Sequence, residues 1–397
     1  METTVKIKMG FSNKYQSGYP LLMKEAIANP QVLTEEGQCL NVVDEKGTYI
    51  GKGYYGRQNK GVGWILTNSQ NDTIGQQLFD RKIIKAAGQR RSFFEDPHTT
   101  AFRLFNGEGD GIGGLTIDYF DGYYLINWYS EGIYRFKSEV VDALLKHTDC
   151  RGIYEKKRFA TDGKYVEDDD FVTGERGEFP LVVQENGVNV AVYLNEGAMV
   201  GVFMDQRDVR KAIQDRYAEG RTVLNTFSYT GAFSVFASLG GAQKTTSVDL
   251  ANRSLPKTIE QFSLNGLDYE AHDIIVEDVF KYFKRAERRG DRFGMVILDP
   301  PSFARSKKFT FSAAKDYVNL LQEAIAITEE NGVIVASTNH AGVSPKKFRS
   351  FVDKAFKEMG EKYKITGTFS LPEDYRVHPA YPEGNYLKVL FIERVKK

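Results

Sequence analysis

The run Met295-Val296-Ile297-Leu298-Asp299-Pro300-Pro301-Ser302-Phe303 sets an acid, two prolines and an aromatic ring behind four apolar residues. The apolar residues read as a fully buried strand. Proline has no N–H and a fixed φ, so Pro300 and Pro301 can neither continue a central strand nor enter a helix interior. They make a stiff lip at the carboxyl end of a strand, where open α/β sheets take their ligands. Such a lip suits a flat heterocycle held beside a second ligand, with Asp299 orienting the ring and Phe303 stacking on it. Asp and Pro also end ordinary strands, so the surrounding elements have to decide.

Those elements alternate from about Val182 onward, which predicts an α/β fold with a doubly wound sheet. Strands are expected at Thr222–Asn225, Thr245–Val248, Asp273–Val276, Met295–Leu298 and Gly332–Ser337. Helices are expected at Ala232–Leu239, Ser254–Asn265, Ala313–Glu330 and Pro345–Met359. Two last strands, Lys364–Leu371 and Tyr386–Val395, have only a loop between them. A loop cannot make a parallel crossover, so this pair is predicted antiparallel. That ending separates a Rossmann-like methyltransferase sheet from a six-stranded parallel dinucleotide fold.

The turn after the first strand, Thr226-Phe227-Ser228-Tyr229-Thr230-Gly231, carries one glycine where a dinucleotide site shows three. A pyrophosphate needs those glycines for close backbone approach, whereas a sulfonium nucleoside has no phosphate to cradle. Asp249 ends the second strand, where a carboxylate can accept from both hydroxyls of a ribose. Asp278 follows the third strand, within reach of an adenine amino group. Three acids closing three successive strands, with the Asp-Pro-Pro lip, favour S-adenosyl-L-methionine over NAD.

Ahead of this segment the chain reads differently. Residues 1–72 are expected to form a small β-barrel-like module: Cys39–Asp44 and Thr48–Tyr54 flank a Glu45-Lys46-Gly47 turn, Gly61–Leu66 follows as a strand, and one helical piece lies near Leu21–Ala28. Residues 73–181 are expected to form a central α+β domain, with a helix from Ile74 to about Arg91 and strands Leu115–Tyr119 and Tyr123–Trp128. Glycines 107 to 114 precede no GKS/T and open no helix, so a hairpin connection is predicted rather than a phosphate loop. Asp168-Asp169-Asp170 reads as a loop, and no metal site is expected.

The 397 residues contain 53 Lys+Arg and 53 Asp+Glu, so any nucleic-acid binding must use local patches rather than bulk attraction. Four basic clusters are candidates: Lys156–Arg158, Lys284–Arg292, Arg305–Lys308, and Lys346-Lys347 with Arg349. Two cysteines in no metal-ligand spacing exclude a disulfide scaffold and fit a reducing, cytoplasmic setting. No stretch approaches membrane-spanning length, so no membrane partner is expected.

An ordered set of motifs spans nearly the whole chain: GEGDGIGGLTID (Gly107–Asp118), FMDQRDVR (Phe203–Arg210), VLNTFSYTGAF (Val223–Phe233), SVDLAN (Ser247–Asn252), EDVF (Glu277–Phe280), LDPPSF (Leu298–Phe303) and YPEGNYLK (Tyr381–Lys388). With these the chain resembles the bacterial large-subunit ribosomal RNA methyltransferase family that has an N-terminal PUA domain, whose characterised members make 5-methylcytosine. The resemblance implies that Asp205, Arg207 and Asn225 lie at the cofactor. It also implies that Phe227, Tyr229 and Gly231 wrap the methionine end, Asp249 holds the ribose, and Asp278 with Val279 holds the adenine. The implied partner is large-subunit rRNA, anchored by the PUA-like module, with a homodimer left open.

One position departs from that family. Carbon 5 of cytosine is a poor nucleophile, and its methylation normally needs a thiolate to add at carbon 6. In the family that cysteine follows the fifth strand, where this chain reads Ser337-Thr338-Asn339-His340. Asn339 cannot act as that nucleophile. The expected catalytic set is therefore Asp299, Pro300, Pro301, Phe303 and Asn339, with Asn339 binding the edge of the base. Direct transfer to a nitrogen such as guanine N7, which a related family also built on a DPP lip performs, is one alternative. A catalytically silent RNA-binding protein that keeps the cofactor fold is another.

Overall fold

The structure, a computed structural model, describes residues 2–58, 61–159, 170–197, 200–305 and 310–396. The chain forms two compact units: Met1–Gln184 with Val192–Val200 and Glu373–Gly384, and Glu185–Ala191 with Gly201–Pro372 and Asn385–Lys397.

In the first unit, Thr3–Ile7 runs parallel to Cys39–Asp44, which pairs antiparallel with Tyr49–Gln58, and that strand with Gly61–Thr67. Asp44 closes the expected Glu45–Gly47 turn by accepting the amides of Lys46 at 2.9 Å and Thr48 at 2.8 Å. The helical piece expected near Leu21–Ala28 is a single 3₁₀ turn, Lys24–Ala26, and the helix lies earlier at Met9–Gln16. The backbone of Leu22 is taken by Gly63 O and Val62 N, both within 2.9 Å, so it pairs with a strand and cannot close a helix.

A second sheet holds Ala101–Asn106, Leu115–Phe120, Tyr123–Trp128, Gly152–Lys157 and Phe171–Gly174 in that order. Helix Gln76–Gln89 falls where the period predicts it. The glycine-rich stretch is the connection between antiparallel Ala101–Asn106 and Leu115–Phe120. It wraps a buried ion pair in which Arg90 Nη1 and Nη2 reach both Asp110 oxygens at 2.6 and 2.7 Å. Both side chains are 1% exposed. One core runs continuously from Val5 to Ile153 through both sheets. Of the three aspartates, Asp168 and Asp169 lie outside the described residues, and Asp170 holds the buried ammonium of Lys156.

The second unit carries a seven-stranded sheet: β1 (Thr222–Thr226), β2 (Lys244–Asp249), β3 (Asp273–Val276), β4 (Phe293–Leu298), β5 (Thr328–Thr338), β6 (Lys362–Phe369) and β7 (Lys388–Val395). The spatial order is β3-β2-β1-β4-β5-β7-β6. The first five strands are parallel, and β7 lies antiparallel between β5 and β6, as the final loop requires. All six residues of β4 are buried, as its apolar run predicts for a central parallel strand.

Alternate side chains feed two core layers. Met295 and Ile297 pack with Val223, Phe233 and Ala237, while Val296 and Leu298 pack with Leu224, Ile334 and the opposite helices. Helix Arg207–Ala212 and α1 (Ala232–Leu239) serve the first layer, and α2 (Ser254–Leu264) packs beside α1. The second layer takes α3 (Val279–Arg289), α4 (Ala313–Ile327) and α5 (Pro345–Glu358).

Two local expectations shift. The helix expected to reach Glu330 stops at Ile327, because Thr328 turns its hydroxyl back to Ala324 O at 2.7 Å and starts β5 opposite Phe293. Helix α3 was hidden in the basic cluster: Asp278 caps it, Gly290 ends it, and Val279, Tyr282, Phe283 and Ala286 form its buried stripe.

Breaking the Arg90–Asp110 pair leaves the buried carboxylate with only the amide of Asn106 at 2.7 Å and the more distant Arg376 at 3.8 Å. Arg90→Met is expected to destabilise the protein by about 3–5 kcal/mol, seen as a lower urea midpoint; an unchanged midpoint would show that Asp110 needs no counter-ion.

Candidate active site

Strands β1 and β4 are neighbours, yet α1 and α4 lie on opposite faces of the sheet. The two connections diverge, and the crevice between them is the reversal point at which open α/β sheets bind ligands. Thr226 ties the pair together through Oγ1 to Ile297 O at 2.7 Å.

The β1 connection is strained in a regular way. Phe227, Tyr229 and Gly231 have φ of 55°, 51° and 77°, so every second residue is left-handed. Two aromatic residues in that region carry a steric cost which clusters at functional sites. The loop is held by Ser228 N to Val248 O at 3.1 Å, Tyr229 N to Asp249 Oδ2 at 2.9 Å and Gly231 N to Ser228 O at 2.8 Å. Three amides that a pyrophosphate would take are thus already engaged, which fits a cofactor without phosphate. At Gly231 a Cβ would come within 2.5 Å of Thr258, so both space and φ call for glycine.

Asp249 ends β2 half-buried, and its other oxygen accepts Ala251 N at 2.9 Å. Each carboxylate oxygen keeps a lone pair for a further donor. Leu250 is 58% exposed and Val276, in register with Asp249 on β3, is 38% exposed, so two apolar side chains stand open beside the carboxylate. Asp278 caps α3 by accepting Lys281 N at 3.1 Å, and Val279 is buried behind it. Asn225 is fully buried and donates to Ser234 Oγ at 3.0 Å, which in turn meets Ser247. It braces β1 against α1, and its Oδ1 is buried with no hydrogen-bond partner among the described residues.

Asp299 leaves β4 at the floor of the crevice. Gln206 Nε2 bridges Asp299 Oδ1 at 3.0 Å and Ser337 Oγ at 2.7 Å, and Ser337 O accepts the buried Tyr317 hydroxyl at 2.6 Å. Burial, and then the neighbouring Asp205 carboxylate, push the Asp299 carboxyl up to about 6, against the pull of Ser337, Arg210 and Gln206. Asp205 Oδ2 accepts Tyr386 Oη at 2.8 Å. Arg207 is buried at the start of its helix, with Nε 3.9 Å from Asp208. Gln206 Oε1 is buried with no hydrogen-bond partner among the described residues, an acceptor beside Asp299 that suits a ligand donor.

Beyond Asp299, Pro300 is buried and Pro301 exposed, and Phe303 is 62% exposed on a short ribbon in which Phe303–Arg305 pairs with Thr310–Ser312. Ser302 Oγ donates to Asn339 Oδ1 at 2.5 Å, joining the lip to the end of β5. Asn339 is exposed, so its amide nitrogen is open to a ligand. The structure therefore gathers Asp205, Asp299, Ser302 and Asn339 at the ends of β4 and β5, and Phe227, Tyr229, Gly231 and Asp249 at the ends of β1 and β2.

Sequence reasoning missed Gln206, Ser337 and Tyr317, which hold Asp299. It also missed the ion pair of Arg210 with Glu185, bonded at 2.6 and 2.7 Å with both side chains 2% exposed. Arg210 Nη2 also donates to Phe203 O at 2.8 Å, anchoring the turn that carries Asp205. The lone signal was position: Gln206 and Arg210 both lie in the FMDQRDVR motif.

A reversal-point crevice with an acid at the end of the second strand and no phosphate cradle is the arrangement of an α/β enzyme that takes a nucleoside cofactor. Residues 103–380 match the model of the S-adenosylmethionine-dependent methyltransferases, and residues 5–68 match a PUA-like domain. A Bacillus subtilis protein provisionally named ribosomal RNA large subunit methyltransferase YwbD is 61% identical over 390 residues, 98% of each chain. Ribosomal RNA large subunit methyltransferase I of Alteromonas mediterranea is 31% identical over 94% of each chain. The crystal structure of SMU.776, a provisionally assigned methyltransferase complexed with SAH, superposes with TM-score 0.91 at 36% identity, covering 98% of this chain and 100% of that one. The chain belongs to the S-adenosylmethionine-dependent methyltransferase family.

The Asp299 carboxyl titrates well above the ordinary Asp value of about 3.9 because its charged form is desolvated and faces Asp205. The native state therefore binds the proton more tightly than the unfolded chain, so this group's contribution to stability falls as pH rises from about 4 to about 6. Carbon-13 NMR of labelled aspartate should show a carboxyl titrating near 6 that is lost in Asp299→Asn and moves lower in Asp205→Asn. A titration unmoved by Asp205→Asn would refute the coupling.

Proposed function

We propose that this enzyme transfers a methyl group to a base of large-subunit ribosomal RNA, without a covalent protein–base adduct. The observation that carries the reading is the joined lip: Asp299, the two prolines and exposed Phe303 linked through Ser302 to Asn339 at 2.5 Å. Support for the substrate comes from the relatives named for large-subunit rRNA, at 61% and 31% identity over nearly the full chain, and from the PUA-like match. An rRNA substrate also places the enzyme in the cytoplasm, and among the described residues no helix is long and apolar enough to cross a membrane.

When bound, S-adenosylmethionine supplies an electrophilic methyl group. In this reading Asp249 accepts the ribose hydroxyls, Leu250 and Val276 flank the adenine with Asp278 and Val279 at its edge, and Phe227, Tyr229 and Gly231 shape the methionine end. Asp205 and the unpartnered Gln206 Oε1 are acceptors for an ammonium group. Pro300 and Pro301 keep the lip rigid and dry, Phe303 stacks on the base, and Asp299 and Asn339 bond its edge. Orientation and exclusion of water are the main contributions such a site makes to direct transfer.

Adduct-free transfer is supported by the thiols. The chain's two cysteines, Cys39 and Cys150, both belong to the first unit, and burial raises both thiols, Cys150 to about 11. A thiol so raised is not a thiolate nucleophile at neutral pH.

Asp249→Ala is expected to weaken S-adenosylhomocysteine binding by about 1.5–3 kcal/mol, the worth of hydrogen bonds to a charged group; unchanged affinity by calorimetry would remove the ribose assignment. Asp299→Ala should retain that affinity yet transfer no methyl to rRNA taken from a strain lacking the gene. Mass spectrometry of the rRNA nucleosides names the product atom. Full activity in Asp299→Ala would remove its assigned role, and a covalent complex between the native protein and fluorocytosine RNA would overturn adduct-free transfer.

A further inference from the structure

In a parallel sheet every helix that follows a strand begins at the same edge, the edge where the strands end. Helices α3, α4 and α5 therefore start at the edge that carries Asp299. α4 packs against both α3 and α5, and its first residue, Ala313, donates its amide to Ser302 O of the lip at 3.1 Å. α5 is capped by Ser344, five positions after Asn339.

The start of a helix is the positive end of its dipole and favours acids. α3 and α5 have no acid inside their first turns; Asp278 caps α3 through Lys281 N, and Asp316 in the first turn of α4 accepts Ser312 N at 2.8 Å. Lys281 stands near the start of α3, Lys315 near that of α4, and Lys346, Lys347 and Arg349 near that of α5, all exposed. Among the described residues these five side chains take part in no ion pair or side-chain hydrogen bond. Some members of the other basic clusters lie elsewhere. Arg288 and Arg289 lie in the last turn of α3, where the dipole favours cations, and Arg289 pairs with Asp291 at 3.5 Å. Lys156 of the first unit is spent on Asp170. Of the Arg305–Lys308 cluster, residues 306 to 308 lie outside the described residues.

Beneath the same edge lies Lys388, the first residue of β7, 8% exposed. Its ammonium donates to His340 O at 2.9 Å and has no carboxylate within ion-pair distance among the described residues. Burial lowers its pKa to about 8, so it still carries charge near neutral pH. Cations set against helix dipoles, with a buried one behind them, make a locally positive rim in a chain of zero net charge.

We propose that Lys281, Lys315, Lys346, Lys347 and Arg349 form the track for the phosphodiester backbone of a single-stranded RNA segment, with Lys388 held behind it. The inference rests on the reading of this site as an RNA base methyltransferase and adds to it where the substrate strand runs. A single strand is the occupant that fits, because an exposed ring at the lip can stack an unpaired base while the rim neutralises its flanking phosphates.

The test uses the full chain and a fluorescein-labelled single-stranded RNA 20-mer, with anisotropy measured from 50 to 300 mM KCl. The triple variant Lys346→Gln/Lys347→Gln/Arg349→Gln is expected to weaken binding at least tenfold near 100 mM salt and to lower the log–log salt slope by about 2, roughly 0.7 for each phosphate no longer neutralised. The control Lys284→Gln/Arg288→Gln/Arg289→Gln should bind as the native protein does. Unchanged S-adenosylhomocysteine affinity in both variants shows that the sheet is folded. A native affinity and slope in the rim variant, or an equal loss in the control, overturns the proposal. Failure of the native protein to methylate rRNA would instead remove the functional reading, and the salt slopes would still decide the rim.

Discussion

Strands β1 and β4 lie side by side at the centre of the sheet, while the helices that follow them lie on opposite faces. Their connections must part, and the gap cannot be filled by either one. Everything chemical in the second unit is arranged around that gap. The strained Phe227–Gly231 loop forms one wall and the Asp299–Phe303 lip the other, and Thr226 locks their roots together. The same parallel geometry delivers three helix starts to the edge of the sheet at which Asp299 stands.

A half-dehydrated carboxylate at the root of the gap has to be managed. Asp299 is disfavoured as an anion by burial and by Asp205, and Gln206, Ser337 and Arg210 offset this. Gln206 is fixed in turn by a segment that Arg210 anchors to Glu185. Asp299 is thus held by a chain of neighbouring side chains, and Gln206 Oε1 is a buried acceptor beside it with no hydrogen-bond partner among the described residues. A carboxylate whose affinity for the proton is raised in this way is a stronger hydrogen-bond acceptor than a solvated one.

Much of this was legible in the sequence. The apolar run before Asp299 marks a central strand, the loop-only link before β7 dictates its antiparallel pairing, and Asp249, Asp278 and Asp299 fall at strand ends because polar residues there cost no core packing. Other features were not. Helix α3 looked like a basic run, because its buried stripe of four residues is outnumbered by charged ones on its open face. The helix expected at Leu21–Ala28 failed because the backbone of Leu22 found a strand partner instead.

By itself the sequence determined the strands and helices of the sheet, its antiparallel ending, the identity of the acids and the lack of a thiol after the fifth strand, since each is written in local pattern or in plain residue identity. Tertiary structure alone decided which groups hold Asp299, that Ser302 joins the lip to Asn339, and which basic residues share the active edge. The first two depend on hydrogen bonds between residues 20 to 131 positions apart, the third on the order of strands and helices, and periodicity carries no information about partners at those separations. Side-chain types name the chemistry available, and only the crossing of strands and helices brings particular side chains to one place.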